Sequence, residues 1–347
     1  MKKILIFLIL SVICTNLSAC NSKSKVRYEA EFLTLFNTVT KVVAYSDNKE
    51  EFEKHAQFIY DNLKKYHELY DIYNDYEGVN NIKTINDQAG IMPVKVDNEI
   101  IELLKFCKEQ YVNTDGKVNV AFGAVLKIWH QYRTEGIEDF QNAKLPSYEE
   151  LEEAAKHTDI NKIIIDEEES TVYLSDPKMS LDVGSIAKGF AVQKVIEDVI
   201  KEGFTTGLIS VGGNVYAIGN KDEEESLWNV GIQNPFGEGD NLVLKVVYVK
   251  DLAVVTSGDY ERYYTVDEKN YHHIIDTNTL FPSEYFTSIT IVCEDSGVAD
   301  VLSTAVFNMP FEDGLEYINT LPNVEAMWLF KDGEIKYSDH FKDYLQN

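Results

Sequence analysis

The chain has 347 residues and a formal net charge of −26 at pH 7, with 32 Lys and Arg against 58 Asp and Glu. That balance, with no local basic patch, excludes nucleic acid as a partner. Hydrophobic residues make up 44% of the chain, enough for one large core or two ordinary ones. Lys far outnumbers Arg, which occurs only at positions 27, 133 and 262.

The first stretch reads as a processing segment. Lys2 and Lys3 precede the apolar run Ile4–Ile13, the pattern of a signal peptide and too short to span a bilayer as a helix. Leu17-Ser18-Ala19-Cys20 resembles a bacterial lipobox. Residues 1–19 are expected to be removed, leaving a lipidated Cys20 on a polar tether over 20–27. A plain signal peptide cut near Ala19, or an uncleaved anchor, fits the same residues. A lipid on Cys20 would hold the remainder, a single domain over 28–347, on the extracytoplasmic face of the cell membrane. Whether that face is periplasmic or the outside of a Gram-positive cell stays open. Cys107 and Cys293 read as two isolated buried thiols, and a disulfide between them also fits.

Phe32–Tyr45 alternates as a strand. Glu51–Tyr70 reads as a helix with Phe52, Ala56, Ile59, Leu63 and Tyr66 on one face. Tyr70–Asn81 is an aromatic, polar loop whose Tyr73 and Tyr76 would stack on a ring or pack on the core. A second helix covers Asn98–Tyr111, and Ser147 with Glu150 forms a capping-box pair opening a helix to about His157. Lys162–Ile165 and Thr171–Leu174 form a hairpin.

Residues 179–200 are the chemical centre of the sequence. A short strand through Leu181 and Val183 turns at Gly184 and Ser185 into a helix whose Val192, Val195, Ile196 and Val199 recur at helical spacing. Such a turn offers backbone N–H groups at the positive end of a helix dipole, where phosphates bind. Lys188 adds a cation, and Asp182 could accept a hydrogen bond or reach a metal. An ordinary βα turn with a solvated Lys fits this pattern equally well.

Farther on, Gly207–Val211 and Val215–Ile218 read as one strand interrupted by Gly212-Gly213-Asn214, a bulge or a close approach to ligand. Leu242–Val249 and Leu252–Thr256 are strands, and Ser257–Asp259 a turn. His272–Asp276 reads as a strand with His273 and Ile275 on one face, and Phe286–Cys293 as another. Asp295–Asn308 is a helix on which Asp300 and Thr304 share a face, a carboxylate and a hydroxyl suited to Mg²⁺. Ser303 points elsewhere. Asp300 would equally serve as a dipole-stabilising residue. A helix at Phe311–Asn319 and a hairpin around Asp332-Gly333 close the chain. Clustered strands and hairpins with helices between them make this an α+β fold with mixed or antiparallel sheets.

Taken together and in order, five stretches resemble one family. Asp182-Val183-Gly184-Ser185-Ile186-Ala187-Lys188-Gly189 is similar to its D-x-x-[AGS]-x-[AG]-K-G signature, and Val211-Gly212-Gly213-Asn214 to its V-G-G-[DN] segment. Thr256-Ser257-Gly258-Asp259-Tyr260-Glu261-Arg262, His273-Ile274-Ile275-Asp276 and Ala299-Asp300-Val301-Leu302-Ser303-Thr304-Ala305 are similar to T-S-G-x-Y-x-R, H-x-x-D and A-D-x-x-[AS]-T-A. The family is ApbE, the FAD:protein FMN transferases, many of them lipoproteins.

The resemblance implies an ApbE-type (T-fold-like) domain that binds FAD with Mg²⁺. It would transfer the FMN moiety to a Thr or Ser hydroxyl of an extracytoplasmic flavoprotein and release AMP. Asp182 and Lys188 would contact FAD, as would Phe36, Tyr73, Asn119, Val120, Ala121, Gly212, Gly213, Ser257 and Ile274. Ser185, through its carbonyl, and Asp300 and Thr304 would ligate Mg²⁺. His273 would be the base, with Asp276 beside it as the second catalytic position. The sequence departs from the family at Phe36-Asn37-Thr38 (usually M-G-T), at Asn119 and Ala121 in the F-D-x-T-x-G segment, and at Thr277-Asn278-Thr279-Leu280 (usually P-x-T-G). An FAD pyrophosphatase and a non-catalytic FAD-binding lipoprotein are the alternative readings.

Overall fold

The computed structural model describes residues 25–33, 35–239 and 241–345. The signal segment and Cys20 lie outside the described residues. The chain opens on strands β1 (Val26–Leu33) and β2 (Val39–Ser46). It continues through α1 (Lys49–Tyr70), α2 (Ile82–Asp87), β3 (Val94–Lys95), α3 (Asn98–Asn113), α4 (Gly123–Glu138) and α5 (Tyr148–Ala155). Next come β4 (Ile163–Asp166), β5 (Thr171–Leu174), α6 (Ala187–Lys201), β6 (Gly207–Val211), β7 (Asn214–Ile218), β8 (Trp228–Gln233), β9 (Val243–Val249) and β10 (Leu252–Gly258). β11 (Tyr263–Val266), β12 (Lys269–His272), β13 (Ser288–Cys293), α7 (Ser296–Phe307), α8 (Phe311–Thr320), β14 (Glu325–Leu329) and β15 (Ile335–Tyr337) complete it.

Eight strands form one antiparallel sheet in the order β1-β2-β6-β7-β10-β13-β14-β15. Its central strands are covered on both faces. Ile209, Val255, Ile289 and Ile291 meet the helices α1, α6 and α7, while Ala217, Val254, Val292 and Met327 meet the β8–β9 hairpin. This explains why β13 is buried at every position and reads as a continuous apolar run rather than an alternating one. A third cluster packs α4 and α5 against β11 and β12 through Trp129, Leu151, Tyr264 and Val266. The α+β class expected from the sequence holds, and the ladders among the described residues are antiparallel.

The helices follow their spacing. Phe52, Ala56, Ile59, Leu63 and Tyr66 of α1 are buried, and Asn48 caps its start through the N–H groups of Glu50 and Glu51. At α5 only half of the expected capping box forms. Ser147 accepts from the Glu150 N–H at 3.2 Å, but the Glu150 carboxylate takes the Tyr132 hydroxyl instead, at 3.1 Å. Cys107 and Cys293 are buried free thiols.

Five strand and turn expectations need correction. Phe32–Tyr45 is not one strand: it holds the end of β1, a turn and most of β2, because Phe36 and Asn37 adopt left-handed backbone angles (φ 51° and 54°). Gly212 and Gly213 do not form a bulge. With φ of 51° and 89° they make the two-residue turn of the β6–β7 hairpin, in which Val211 pairs with Asn214. The stretch before Gly184 is extended but belongs to no ladder, touching its neighbour through one bridge from Ser180 to Phe122. Ser257 and Gly258 stay in β10, while β12 ends at His272, so His273–Asp276 leaves the sheet as a loop.

Candidate active site

One cavity of about 300 Å³ gathers residues from nearly the whole length of the chain. Its walls are the turn after α1, the inner face of α4, the 182–188 turn, the Gly212 hairpin, the end of β10, the loop after β12, and α7. Phe36, Tyr73, Asn119, Asp182, Ser185, Lys188, Gly212, Ser257, His273, Ile274, Asp300 and Thr304 all line it, as the sequence led one to expect.

The 182–188 turn and α7 are locked together. Gly189 of α6 faces α7 so closely that a Cβ there would sit 2.3 Å from the Ser296 carbonyl oxygen and 2.5 Å from the Asp300 Cβ. Only glycine permits that approach. It lets the Gly189 N–H donate to one Asp300 carboxylate oxygen at 2.9 Å, while the Lys188 ammonium stands 3.4 Å from the other. Lys188 also donates to the Asn214 side-chain oxygen at 3.4 Å. The helix start is therefore less open than its sequence implies: the Gly184 N–H is held by the Asp182 carboxylate at 2.9 Å, and those of Ile186 and Ala187 by the Val183 carbonyl. Burial raises the Asp182 pKa, with the Gly184 hydrogen bond and the nearby cationic groups opposing the shift.

The Asp300 carboxylate is 4% exposed, so it requires a positive partner. Lys188 occupies that role, and Thr304 stands on the same face of α7 in the same cavity. A buried carboxylate already holding a cation, beside a hydroxyl and the Ser185 turn, fits a small hard divalent ion. No cluster of three His, Cys, Asp or Glu exists among the described residues, so such an ion would take much of its shell from other oxygens. Ser303 turns away, its hydroxyl bonding Ser257 at 2.7 Å and the Asp300 carbonyl at 2.9 Å. That link ties the end of β10 to α7.

His273 opens onto the cavity. Its Nδ1 lies 3.3 Å from the Arg262 carbonyl oxygen, a contact that selects the tautomer with the proton on Nδ1 and a lone pair on Nε2. Surrounding protein and the Arg262 and Arg133 guanidiniums lower its pKa, so the ring stays neutral, with its Nε2 lone pair free, at physiological pH.

Four expected site residues lie elsewhere. Val120 and Ala121 are buried behind the wall, where the Val120 carbonyl accepts from the Asp182 N–H at 2.8 Å and the Ala121 N–H donates to the Asn119 side chain at 2.9 Å. Gly213 forms the far half of its hairpin turn. Asp276 does not line the cavity. Its carboxylate accepts the Asn278 N–H at 2.9 Å and stands 3.6 Å from the Lys117 ammonium, and its backbone closes the turn onto Leu280 and Phe281. Tyr76 likewise turns inward, to Asp71 at 2.7 Å. The two family departures near these sites are absorbed. Asn119 makes the side-chain turn an Asp would make, and Leu280 takes the left-handed φ of 65° that a glycine would occupy.

His67, His130, Arg133 and Arg262 also line the cavity and were not singled out from the sequence as ligands. His130 and Arg133 are three apart on α4, a spacing that any polar helix face shows.

The ApbE family model matches residues 36–328. The chain belongs to the ApbE family. It is 30% identical to the FAD:protein FMN transferase of Treponema pallidum over 97% of this chain and 94% of that one. It is 28% identical to that of Klebsiella pneumoniae over 81% and 83%. Among solved structures, the ApbE protein of Thermotoga maritima superposes with a TM-score of 0.80 at 31% identity, covering 92% of this chain and 100% of that one. All five ApbE motifs fall in or directly behind the walls of the one cavity.

Proposed function

We propose that the protein transfers the FMN moiety of FAD to a Thr or Ser hydroxyl of a partner flavoprotein, releasing AMP. The observation that carries this reading is the convergence of Lys188, Asp300 and a neutral His273 on one cavity in an ApbE chain. The names of its relatives, at matching length, support the same chemistry.

The acceptor hydroxyl attacks the phosphorus on the FMN side of the diphosphate. A new P–O bond forms, the bond to the AMP oxygen breaks, and the hydroxyl proton passes to His273 Nε2. Lys188 holds the diphosphate, and Tyr73 and Phe36 flank the flavin or the adenine. Ser185, Asp300 and Thr304 would hold Mg²⁺, which when bound neutralises phosphate charge. The Ser257–Ser303 bond keeps these groups in register.

Because His273 faces solvent, water can replace the acceptor, which favours FAD hydrolysis as a slower side reaction. Incubation of the protein with FAD, Mg²⁺ and a flavoprotein bearing an acceptor Thr is expected to give covalent flavin fluorescence on the target and stoichiometric AMP. AMP and free FMN without label would assign a pyrophosphatase. Tight FAD binding without AMP would assign a carrier.

The lipobox at Leu17–Cys20 supports a lipid anchor on the extracytoplasmic side. Cys20→Ala is expected to move the protein from the membrane fraction to the soluble one and to abolish incorporation of labelled palmitate.

A further inference from the structure

We propose that His67 is a positioning residue for FAD: its Nδ1 accepts the Phe36 N–H and holds Phe36 in a left-handed conformation, with the phenyl ring presented to one of the two ring systems of FAD. The inference rests on the FAD reading above.

Phe36 has φ 51° and ψ 28°, and Asn37 after it has φ 54°. Asn tolerates that region, but for a bulky side chain it is strained, because the Cβ crowds the backbone. Such a residue stays there only where its surroundings hold it. Core packing is supplied next door: Leu35 is buried, whereas Phe36 is half-buried and lines the cavity. The strained residue therefore faces the place where a ligand lies.

The turn is held from two sides. On one, the Thr38 N–H donates to the Leu35 carbonyl at 3.1 Å, and Gly212 packs so close that a Cβ there would sit 2.3 Å from the Thr38 hydroxyl oxygen. On the other stands His67, from α1. The Phe36 N–H donates to its Nδ1 at 3.3 Å, and the imidazole meets the phenyl ring edge-on, with centroids 5.6 Å apart and planes at 68°.

His67 is itself oriented from behind. Its Nε2 lies 3.3 Å from the Tyr76 hydroxyl, which donates to the Asp71 carboxylate at 2.7 Å. Burial would raise the Asp71 pKa, but hydrogen bonds from Asn74, Tyr73 and Tyr76 outweigh it and keep the group ionised. An ionised carboxylate only accepts, so the bonds run one way: Phe36 N–H to Nδ1, Nε2–H to the Tyr76 oxygen, and Tyr76 O–H to Asp71. Burial also lowers the His67 pKa, against the pull of Asp71, which leaves Nδ1 unprotonated and able to accept. Tyr76 does not line the cavity, so it reaches a ligand only through His67.

The test compares His67→Asn, which keeps an acceptor where Nδ1 stands, with His67→Gln, which reaches toward Tyr76 and leaves the Phe36 N–H without one. Affinities for FAD, FMN and ADP are measured by calorimetry with Mg²⁺, alongside kcat and KM for AMP release. H67Q should weaken FAD binding by about tenfold with kcat kept within about twofold, while H67N and Y76F should each cost about threefold or less. A loss shared by FMN and spared in ADP places the Phe36 ring on the isoalloxazine, and the reverse places it on the adenine. In the F36A background neither H67Q nor Y76F should weaken FAD further; should H67Q fail to fold, the Y76F pair carries the same comparison. Wild-type affinity in H67Q, no advantage of H67N over H67Q, equal losses for FMN and ADP, or an undiminished effect in F36A overturns the proposal alone. Absence of flavin on an acceptor protein, with these affinities as expected, overturns transfer and supports the positioning role. Failure of the wild-type protein to bind FAD overturns both.

Discussion

His273 shows how one backbone contact sets a residue's chemistry. Its Nδ1 is committed to the Arg262 carbonyl, and its pKa is lowered by surrounding protein and two guanidiniums. An ordinary His loses its basic form as pH falls through about 6.5. His273 keeps its lone pair below that point, so transfer at saturating Mg²⁺ should stay flat from pH 8 to 6. A halving of the rate near pH 6.5 would contradict this. His273→Ala should lower transfer by about 10²–10⁴-fold, with FAD still bound by fluorescence titration. Asp300 and Lys188 give a second prediction, readable without turnover. Mg²⁺ at about 100 times its Kd stabilises a folded chain by about 2.7 kcal/mol, so the wild-type melting temperature should rise with Mg²⁺. Asp300→Ala should erase that rise, and both Asp300→Ala and Lys188→Ala should cut AMP release by at least about 10²-fold.

At the scale of elements, the α6–α7 contact is the tightest constraint on the site. Gly189→Ala must push α7 away or tilt α6, because its new Cβ meets backbone at 2.3 Å. Overpacking of this kind costs about 1–3 kcal/mol, visible as a lower urea midpoint, and it should weaken the Mg²⁺ response by separating Lys188 from Asp300. The helices α1, α3, α6 and α7 were legible because their apolar residues recur with the period of a helix. The β4–β5 and β14–β15 hairpins were legible too, but the β6–β7 hairpin was not, because a Gly-Gly pair marks a bulge and a tight turn alike, and only the partner strand distinguishes them. β8 carries a usable signal in the alternation of Trp228, Val230 and Ile232. The motif residues of the site were legible as chemistry, but Arg133 and His130 were not, since a cation on a polar helix face looks the same whether it meets water or substrate. Leu280 teaches the converse: the turn survives the loss of its usual glycine because the side chain is buried against α4, whose Trp129 indole donates to the Leu280 carbonyl at 2.9 Å.

For the whole molecule, a net charge of −26 opposes the approach of FAD, itself an anion. Raising ionic strength from about 0.01 to 0.15 M shortens the screening length from about 30 to 8 Å. The association rate of FAD, followed by stopped-flow fluorescence, should therefore increase with salt by several-fold. A decrease would mean that the local cations of the cavity dominate its field at long range. The order of strands in the large sheet carries a different consequence. Residues 40–43 of β2 pair with residues 208–211 of β6, so a neighbour in space is far away along the chain. Closing so long a span is entropically uphill before any contact rewards it. A growing polypeptide can complete its N-terminal hairpin early, yet that hairpin must wait, one edge unsatisfied, until β6 arrives. Refolding from denaturant should accordingly be slow, and fragments ending before α7 should fail to bind FAD at all.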